Sequence, residues 1–505
     1  MSVAEQSRAP GARAGVLGGP RRPAVIQGGM GVGVSSWQLA RAVARTGQLG
    51  VVSGVALDAT LARRLQLGDP GGHLRRALAH FPGRAAAERI VARYFVPGGI
   101  GPARPFRPVP RLGLRPSPAR TELIAAANFA EVFLAREGHD GMVGINYLEK
   151  IQLATPAAIY GAMLGGVDYI LMGAGIPAGI PALLNAFADH SPAQLPVTVA
   201  GGSGALASLD PASLGWADSP PGRPAFLAII SSAVLAGYLC RTEASRPDGF
   251  VLETPVAGGH SAPPRGRLRL DDSGEPVYGP RDAIDLAQVA AHGLPFWLAG
   301  GYSTPRQVAA ARSAGAAGVQ AGTPFALCRE SGLDAALKRR LLEAATAGTL
   351  AVRNSAQASP AGFPFKTAEL AGTLTDPEVY AARPRLCDLG YLRTPYQRAD
   401  GSVGYRCPAE PADQYVRKGG LAQDAQDRRC LCNALLATIG LGQRRPGGWT
   451  EPPLVTLGQD LRCLPELLHR YGHTYSAADV VRYLLGAGRT SAEGPAPRTS
   501  TEGQH

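Results

Sequence analysis

Eight short apolar runs, most of them separated by helix-like stretches, constrain the fold of this 505-residue chain more than any other feature. The runs are apolar at consecutive positions, which is typical of parallel strands that are buried on both faces. Repeated strand–helix alternation predicts either an open doubly wound sheet or an eight-fold barrel. The predicted strands are residues 24–28, 49–53, 142–146, 169–173, 225–231, 249–253, 296–300 and 318–321, with 196–200 as an extra strand.

Glycines at the ends of several predicted strands favour the barrel. They occur both early and late in the chain, whereas a dinucleotide-binding sheet concentrates its glycines in the first turn. The early cluster at 29–33 also lacks the G-x-G-x-x-G spacing. We therefore predict an α/β fold, a TIM-type (β/α)8 barrel over residues 23–330, with insertions at about 59–140 and 203–224.

The segments outside the barrel have a different composition. Residues 1–22 are rich in Gly, Pro and Arg, and residues 487–505 are polar and low in apolar side chains, so we expect both segments to be disordered. Residues 331–486 are predicted to form a mainly helical, cysteine-containing C-terminal extension.

Four cysteines of this extension fall within 46 residues, at a spacing that matches no standard metal-binding motif. One interpretation is a site for Zn²⁺ or an iron–sulfur cluster, because both are held by thiolates. The other is a set of buried, small apolar side chains. The candidate ligands are Cys387, Cys407, Cys430 and Cys432.

Composition restricts the classes of partner. The net charge of +12 comes mainly from arginines, which are scattered and form no known nucleic-acid-binding module, so we expect no nucleic-acid partner. No run of about 18 apolar residues predicts a membrane span. The N-terminal residues lack the apolar core of a secretion signal, and the odd number of cysteines fits a reducing compartment. We expect a cytoplasmic protein that acts on a small molecule and leave open whether it is a homo-oligomer.

The last two strand ends predict a phosphate site. Gly300 and Gly301 allow a ligand to approach the backbone closely, and Pro305 suits the first turn of a following helix. Gly322 and Thr323 add further amides and a hydroxyl. Barrels commonly bind phosphate at these two positions, next to a helix N-terminus. The alternative is that these are ordinary strand-to-helix turns.

The sixth predicted strand ends in two glycines and His260. An imidazole whose pKa is about 6.5 can accept a proton near neutral pH. We therefore predict that His260 is a general base, and the alternative is a structural histidine that anchors a loop.

Five motifs together carry a family resemblance. They are QGGMG at 27–31, GIN at 144–146, AGGH at 257–260, LAGG at 298–301 and GVQAGT at 318–323. In this order the chain resembles the nitronate monooxygenases, formerly called 2-nitropropane dioxygenases, over about residues 23–330. The same superfamily contains FMN-dependent enoyl-acyl-carrier-protein reductases, and its fold is a TIM-type barrel that binds FMN.

The resemblance implies a role for each matching residue. His260 is the implied catalytic base, and Asn146 lines the site of the flavin ring. The other implied FMN contacts are Gly28, Met30 and Gly259 around the ring, and Gly300, Gly301, Gly322 and Thr323 at the phosphate, with Gln320 nearby. The implied reaction is the oxidation of alkyl nitronates, such as propionate 3-nitronate, with O2.

Two alternatives to this activity are kept. One is an NAD(P)H-dependent enoyl-thioester reductase on the same FMN barrel. The other is a flavin-binding accessory protein whose cysteine-rich extension is a partner module.

The chain departs from the family pattern at two places. Val256 stands where the family motif has glutamate, and Ser231 stands where many relatives have lysine at the end of the fifth strand. Arg265 is the candidate replacement for that positive charge. These departures leave the substrate open.

Overall fold

The computed structural model describes residues 22–217 and 219–486. The two segments predicted to be disordered lie outside the described residues, apart from Arg22. Within the described part of the chain, none of the helices combines the length and the apolar character needed to cross a membrane.

Eight parallel strands form one sheet in the order β1-β10-β9-β8-β7-β4-β3-β2. A parallel bridge between Ile26 and Leu49 joins β1 to β2, and Gln27 N donates to Leu49 O at 3.0 Å, so the sheet closes on itself. The predicted TIM-type barrel is therefore confirmed. Its strands are β1 Val25–Gln27, β2 Gly50–Ser53, β3 Val143–Leu148, β4 Tyr169–Gly173, β7 Ala225–Ile230, β8 Gly249–Glu253, β9 Phe296–Ala299 and β10 Gly318–Ala321.

Two apolar layers explain why the strand sequences are continuously apolar. Alternate residues fill the barrel interior, where Leu171, Val251 and Trp297 belong to one fully buried cluster. Their neighbours, such as Ile170 and Phe250, pack outward in the larger core between strands and helices. Burial of both faces is what distinguishes this sheet from an amphipathic one.

Helices cover the outside of the barrel. The first begins directly after Ser36. The helices up to the end of the barrel are α1 Trp37–Ala44, α2 Leu57–Gln66, α3 His73–Ala79, α4 Arg84–Tyr94, α5 Pro118–Arg136, α6 Thr155–Leu164, α7 Ile180–Ala188, α8 Pro211–Leu214, α9 Ala233–Leu239, α10 Leu286–Ala290, α11 Pro305–Ser313 and α12 Thr323–Ala326.

The extra strand predicted at 196–200 lies slightly earlier and does not belong to the barrel. It is β5, Ala193–Val197, and it pairs antiparallel with β6, Ala205–Leu209. The turn-rich insertion at 203–224 therefore contributes one strand of a hairpin outside the barrel. Alternate residues of β5 are exposed, as expected for a hairpin with one solvated face.

The residues after the barrel form helices and two antiparallel hairpins. Leu454 and Val480 of this region belong to the same apolar core as the barrel helices. The helices are α13 Ala335–Thr346, α14 Pro377–Ala382, α15 Ala412–Arg417, α16 Leu431–Ala437, α17 Cys463–Tyr471 and α18 Ala477–Leu484. The hairpins, which the sequence did not predict, are β11 Val352–Ser355 with β12 Phe365–Ala368, and β13 Thr394–Gln397 with β14 Val403–Arg406.

Candidate functional site

An open cavity with about 1340 Å³ of empty space lies at the carboxyl ends of the barrel strands. This end of a barrel is where side chains and loops from different strands converge. All ten residues predicted to be catalytic or to bind the cofactor line this cavity. They are Gly28, Met30, Asn146, Gly259, His260, Gly300, Gly301, Gln320, Gly322 and Thr323.

The first strand end forms a wall of bare backbone. A Cβ atom on Gly29 would lie 2.3 Å from Asn146 Cβ, so the turn and Asn146 are in close contact. The turn is held from below by Gln27, whose side chain donates to Ser35 Oγ at 2.8 Å and accepts from Val51 N at 3.0 Å. Gln27 and Ser35, which the sequence analysis did not assign, thus position the wall.

Gly300 and Gly301 are required by both conformation and space. Their φ angles are +79° and +80°, in the left-handed region that favours glycine. A Cβ on Gly300 would lie 2.4 Å from Thr254 Oγ1 and 2.9 Å from Ala257 N. Gly300 therefore brings β9 against the loop that precedes His260.

The predicted phosphate site has fewer available donors than the sequence suggested. The amides of Ser303 and Thr304 donate to Gln307 Oε1 at 3.1 and 2.9 Å, because Thr304 and Gln307 form a capping box at the start of α11. Thr323 Oγ1 accepts from Gly458 N at 2.9 Å, which leaves its hydroxyl hydrogen for another acceptor.

Gln320 carries an unsatisfied polar atom into this region. Its Oε1 is buried and has no hydrogen-bond partner among the described residues. Buried polar atoms in folded proteins are nearly always paired. The unpaired Oε1 in the cavity lining therefore indicates a place for a polar ligand.

His260 is held by the C-terminal region. Its Nε2 lies 2.7 Å from Ser359 Oγ, and its ring packs edge-on against Phe365 with 4.8 Å between centroids. Burial, followed by the charges of Lys150 and Lys366, lowers the pKa of His260 to about 4. The imidazole is therefore uncharged at neutral pH.

Two cations near His260 were missed by the sequence analysis. The chain has four lysines, and two of them, Lys150 and Lys366, interact electrostatically with His260. The scarcity of lysine is a signal that could have drawn attention to them. By contrast, Arg265 is outside the lining of the main cavity described here and donates instead to Ser231 O at 2.9 Å.

The cavity segment, residues 456–460, lies across the mouth of the barrel. Thr456 Oγ1 accepts from Gly259 N at 2.9 Å, and Gln459 N donates to Val256 O at 3.0 Å. The extension is predicted to be mainly helical, but these residues have no regular secondary structure, and α17 begins only at Cys463. The extended segment instead hydrogen-bonds to the loop before His260 and to the phosphate region.

Asp460 ends the cavity segment and lies next to Gly301 and Ser303. Its Oδ2 is 3.2 Å from Gln307 Nε2 and 3.0 Å from Arg462 Nη2. Burial is the largest single effect and opposes ionisation, but the hydrogen bonds from Arg462 and Gln307 and the charge of Arg462 together lower the pKa of Asp460. Arg462 thus compensates a carboxylate that lies beside the predicted phosphate site.

The prediction that the four cysteines form a metal site is not supported. In the part of the chain that the structure describes, no group of three or more His, Cys, Asp or Glu side chains is arranged to hold a metal ion. Cys407 and Cys430 pack in a small apolar cluster with Cys432 against it. Burial raises the pKa of Cys430 to about 11, and a thiol in such surroundings is a poor source of the thiolate that metals require. Cys387 is partly buried, and burial raises its pKa also.

A family model matches the second half of the barrel and the residues that follow it. Residues 223–361 match the family model of nitronate monooxygenase. The resemblance carried by the motifs at 257–260, 298–301 and 318–323 is thereby confirmed. The match ends before β12, so Phe365 and Lys366 lie outside it.

A curated relative and two solved structures are similar to this chain. Over 122 residues it is 34% identical to a 5-hydroxy-7a-methyl-1-oxo-octahydro-1H-indene-4-carboxyl-CoA dehydrogenase of Mycobacterium tuberculosis, which covers 24% of this chain and 31% of that protein. FabK from Thermotoga maritima has a TM-score of 0.45 at 14% identity, covering 92% of each chain. A nitroalkane oxidase from Streptomyces ansochromogenes has a TM-score of 0.42 at 17% identity, covering 92% of this chain and 95% of that one.

Proposed function

We propose that this chain is an FMN-dependent oxidoreductase of the nitronate monooxygenase type, which oxidises alkyl nitronates such as propionate 3-nitronate with O2. The observation that carries the proposal is the convergence of the ten motif residues on one cavity at the carboxyl end of the barrel. The family match over residues 223–361 covers three of the five motifs and supports the same conclusion.

The residues that line the cavity fit the chemistry of FMN. The bare backbone at Gly28 and Gly29 offers a flat wall for a ring, and the unpaired Gln320 Oε1 offers an acceptor. Gly300, Gly301 and the hydroxyl hydrogen of Thr323 would contact the phosphate. Bound FMN would supply the redox chemistry between the nitronate and oxygen, while the protein positions both and limits access of water.

His260 is the proposed acid–base group for this chemistry. Because Ser359 engages Nε2, Nδ1 is the ring nitrogen left for a substrate. The lowered pKa keeps the imidazole unprotonated at neutral pH, so it can accept a proton or a hydrogen bond without prior deprotonation. The same low pKa makes the imidazole a weak base. A weak base is less effective at removing a proton from carbon.

The absorbance spectrum of the purified protein, combined with oxygen uptake, tests the proposal. We expect a flavin spectrum and oxygen consumption when propionate 3-nitronate or another alkyl nitronate is added. A protein that binds no flavin would contradict the proposal. A flavin-loaded protein that consumes no oxygen with any nitronate would also contradict it, and would leave the reductase and the accessory-protein alternatives.

One observation favours a second candidate, an NAD(P)H-dependent enoyl-thioester reductase. The curated relative named above is described as acting on a CoA thioester. Anaerobic mixing with NADH or NADPH separates the two functions. Rapid bleaching of the flavin by either nucleotide, followed by reoxidation with an enoyl thioester, would favour the reductase.

A further inference from the structure

Glu253 is a carboxyl group in the main cavity that no motif assigned. It is the last residue of β8, and its side chain lines the same cavity as His260. Residues at the carboxyl ends of barrel strands are the ones that most often take part in chemistry. Glu253 therefore occupies a catalytic position of the fold.

The carboxyl group of Glu253 makes no hydrogen bond or ion pair with the described residues. Among the described residues, no hydrogen bond and no ion pair of 4.0 Å or less holds its oxygens. Other carboxylates near the cavity are engaged, since Asp460 is held by Arg462 and Glu275 accepts from Gln459 Nε2 at 2.8 Å. Glu253 alone among these three keeps both oxygens for a ligand.

Lys366 provides the charge that accompanies Glu253. Its side chain is 0% exposed and its Nζ has no hydrogen-bond partner among the described residues. Its backbone N–H donates to Gly259 O at 2.9 Å, which fixes β12 beside the His260 loop. A buried ammonium without a partner is costly, so its placement near a carboxyl group calls for an explanation.

We propose that Glu253 is a second proton-transfer residue of this cavity, which removes a proton from a neutral nitroalkane, with Lys366 as the positioning residue that provides its counter-charge. The inference rests on the proposed function and deepens it, because it names a further residue for proton removal in the same cavity.

The step needs no other reactant. The carbon–hydrogen bond next to the nitro group breaks, the proton passes to a carboxylate oxygen of Glu253, and the electron pair is spread onto the nitro oxygens. The product of the step is the nitronate anion. Nothing is oxidised or reduced.

The protonation equilibria support Glu253 over His260 for this step. Burial raises the pKa of Glu253 to about 7, against the opposing attraction of Lys366. Burial lowers the pKa of Lys366 to about 8, against the attraction of Glu253 and Glu275. A base works best when its pKa is near the working pH, and by this criterion Glu253 is a much stronger base than His260.

Exchange of the α-hydrogens of nitroethane with D2O, followed by proton NMR under anaerobic conditions, measures this step without any oxidation. We expect the flavin-loaded protein to catalyse exchange, at a rate that rises with pH through about 7. Glu253→Gln should lower the rate by about 100-fold or more. His260→Gln should lower it by less.

A matched control is Glu369→Gln, which neutralises an exposed carboxylate directly after β12, the strand that contains Lys366. This variant should keep the exchange rate within about twofold of the wild-type rate. Lys366→Met removes the charge that favours the ionised carboxylate, so the pH midpoint should rise by about one unit. Glu253→Asp keeps the carboxyl group and should retain measurable exchange, which guards against a folding defect in Glu253→Gln.

Three results would overturn the proposal. They are no exchange above the buffer blank with the wild-type protein, an unchanged rate in Glu253→Gln, or abolition of exchange by His260→Gln alone. Oxygen uptake with a preformed nitronate bypasses proton removal. It therefore continues to test the proposed function even where the exchange experiment fails.

Discussion

Ser359 Oγ lies 2.7 Å from Nε2 of His260, although 99 residues separate the two in the chain. Ser359 is fully buried, and its Oγ also accepts from Ala361 N at 3.1 Å. The serine therefore fixes the orientation of the imidazole from outside the barrel. This contact ties the proposed base to the C-terminal region.

Ser359→Ala should weaken turnover by loosening the ring of His260. The loss of one hydrogen bond of about 1 kcal/mol corresponds to a reduction of about fivefold in kcat/KM for propionate 3-nitronate. Oxygen uptake measures the effect. Ser355→Ala is the control, because Ser355 does not contact the ring and caps the following turn; an equal loss in both variants would point to a general disturbance of the hairpin.

Gly300→Ala should abolish flavin binding. The new Cβ would meet Thr254 Oγ1 and Ala257 N, and the positive φ adds about 1–2 kcal/mol of backbone strain. The measurement is the flavin-to-protein absorbance ratio after purification. The control variant is Gly293→Ala, because Gly293 also has a positive φ, of +72°, but no atom lies within 4 Å of the added Cβ. It should lose stability yet keep its flavin.

Thr456→Val should lower the affinity for flavin while preserving the shape of the side chain. Gly259 N would lose its acceptor, and an unsatisfied donor at this position costs about 1–3 kcal/mol. Fluorescence titration of the flavin-free protein with FMN gives the dissociation constant. Thr450→Val, at an exposed position, should leave that constant unchanged.

Glu451→Gln should destabilise the C-terminal region. Glu451 forms ion pairs with Arg383 and Arg445, and its side chain is 0% exposed. Breaking a buried pair costs about 3–5 kcal/mol, because the remaining charges stay buried. Asp413→Asn in the exposed pair with Arg417 should cost about 0.5 kcal/mol or less. Urea unfolding measures the stability of both variants. Equal midpoints would show that the buried ion pair contributes no more to stability than the exposed one.

The titration of His260 should differ from that of an ordinary histidine. Its pKa of about 4 lies below the usual value, so the folded protein should keep the ring neutral at about pH 5. NMR of the nine labelled histidines, with His260→Gln for assignment, tests this. Because the unfolded state binds the proton at a higher pH, acid should destabilise the fold between about pH 6.5 and pH 4. A midpoint near 6.5 in the native protein would show that burial does not act as described.

Much of the barrel follows from local sequence. The runs at 169–173 and 249–253 coincide with observed strands, because continuous apolar residues bounded by polar segments suit strands buried on both faces. The glycine and histidine positions follow in the same way, since strand ends of a barrel converge on one face. The sequence alone therefore predicted the fold class and ten of the residues that line the cavity.

Tertiary structure decided what surrounds that cavity. Ser359, Lys366 and Thr456 reach His260 and Gly259 only because the C-terminal region packs over the barrel, and no local periodicity encodes a contact across about one hundred residues or more. The cysteines illustrate the converse, because four thiols that are close in sequence are not arranged to hold a metal ion among the residues that the structure describes. The local residue types determine where strands and turns form. Long-range packing determines which charges and hydrogen bonds surround His260, and therefore its pKa and its orientation.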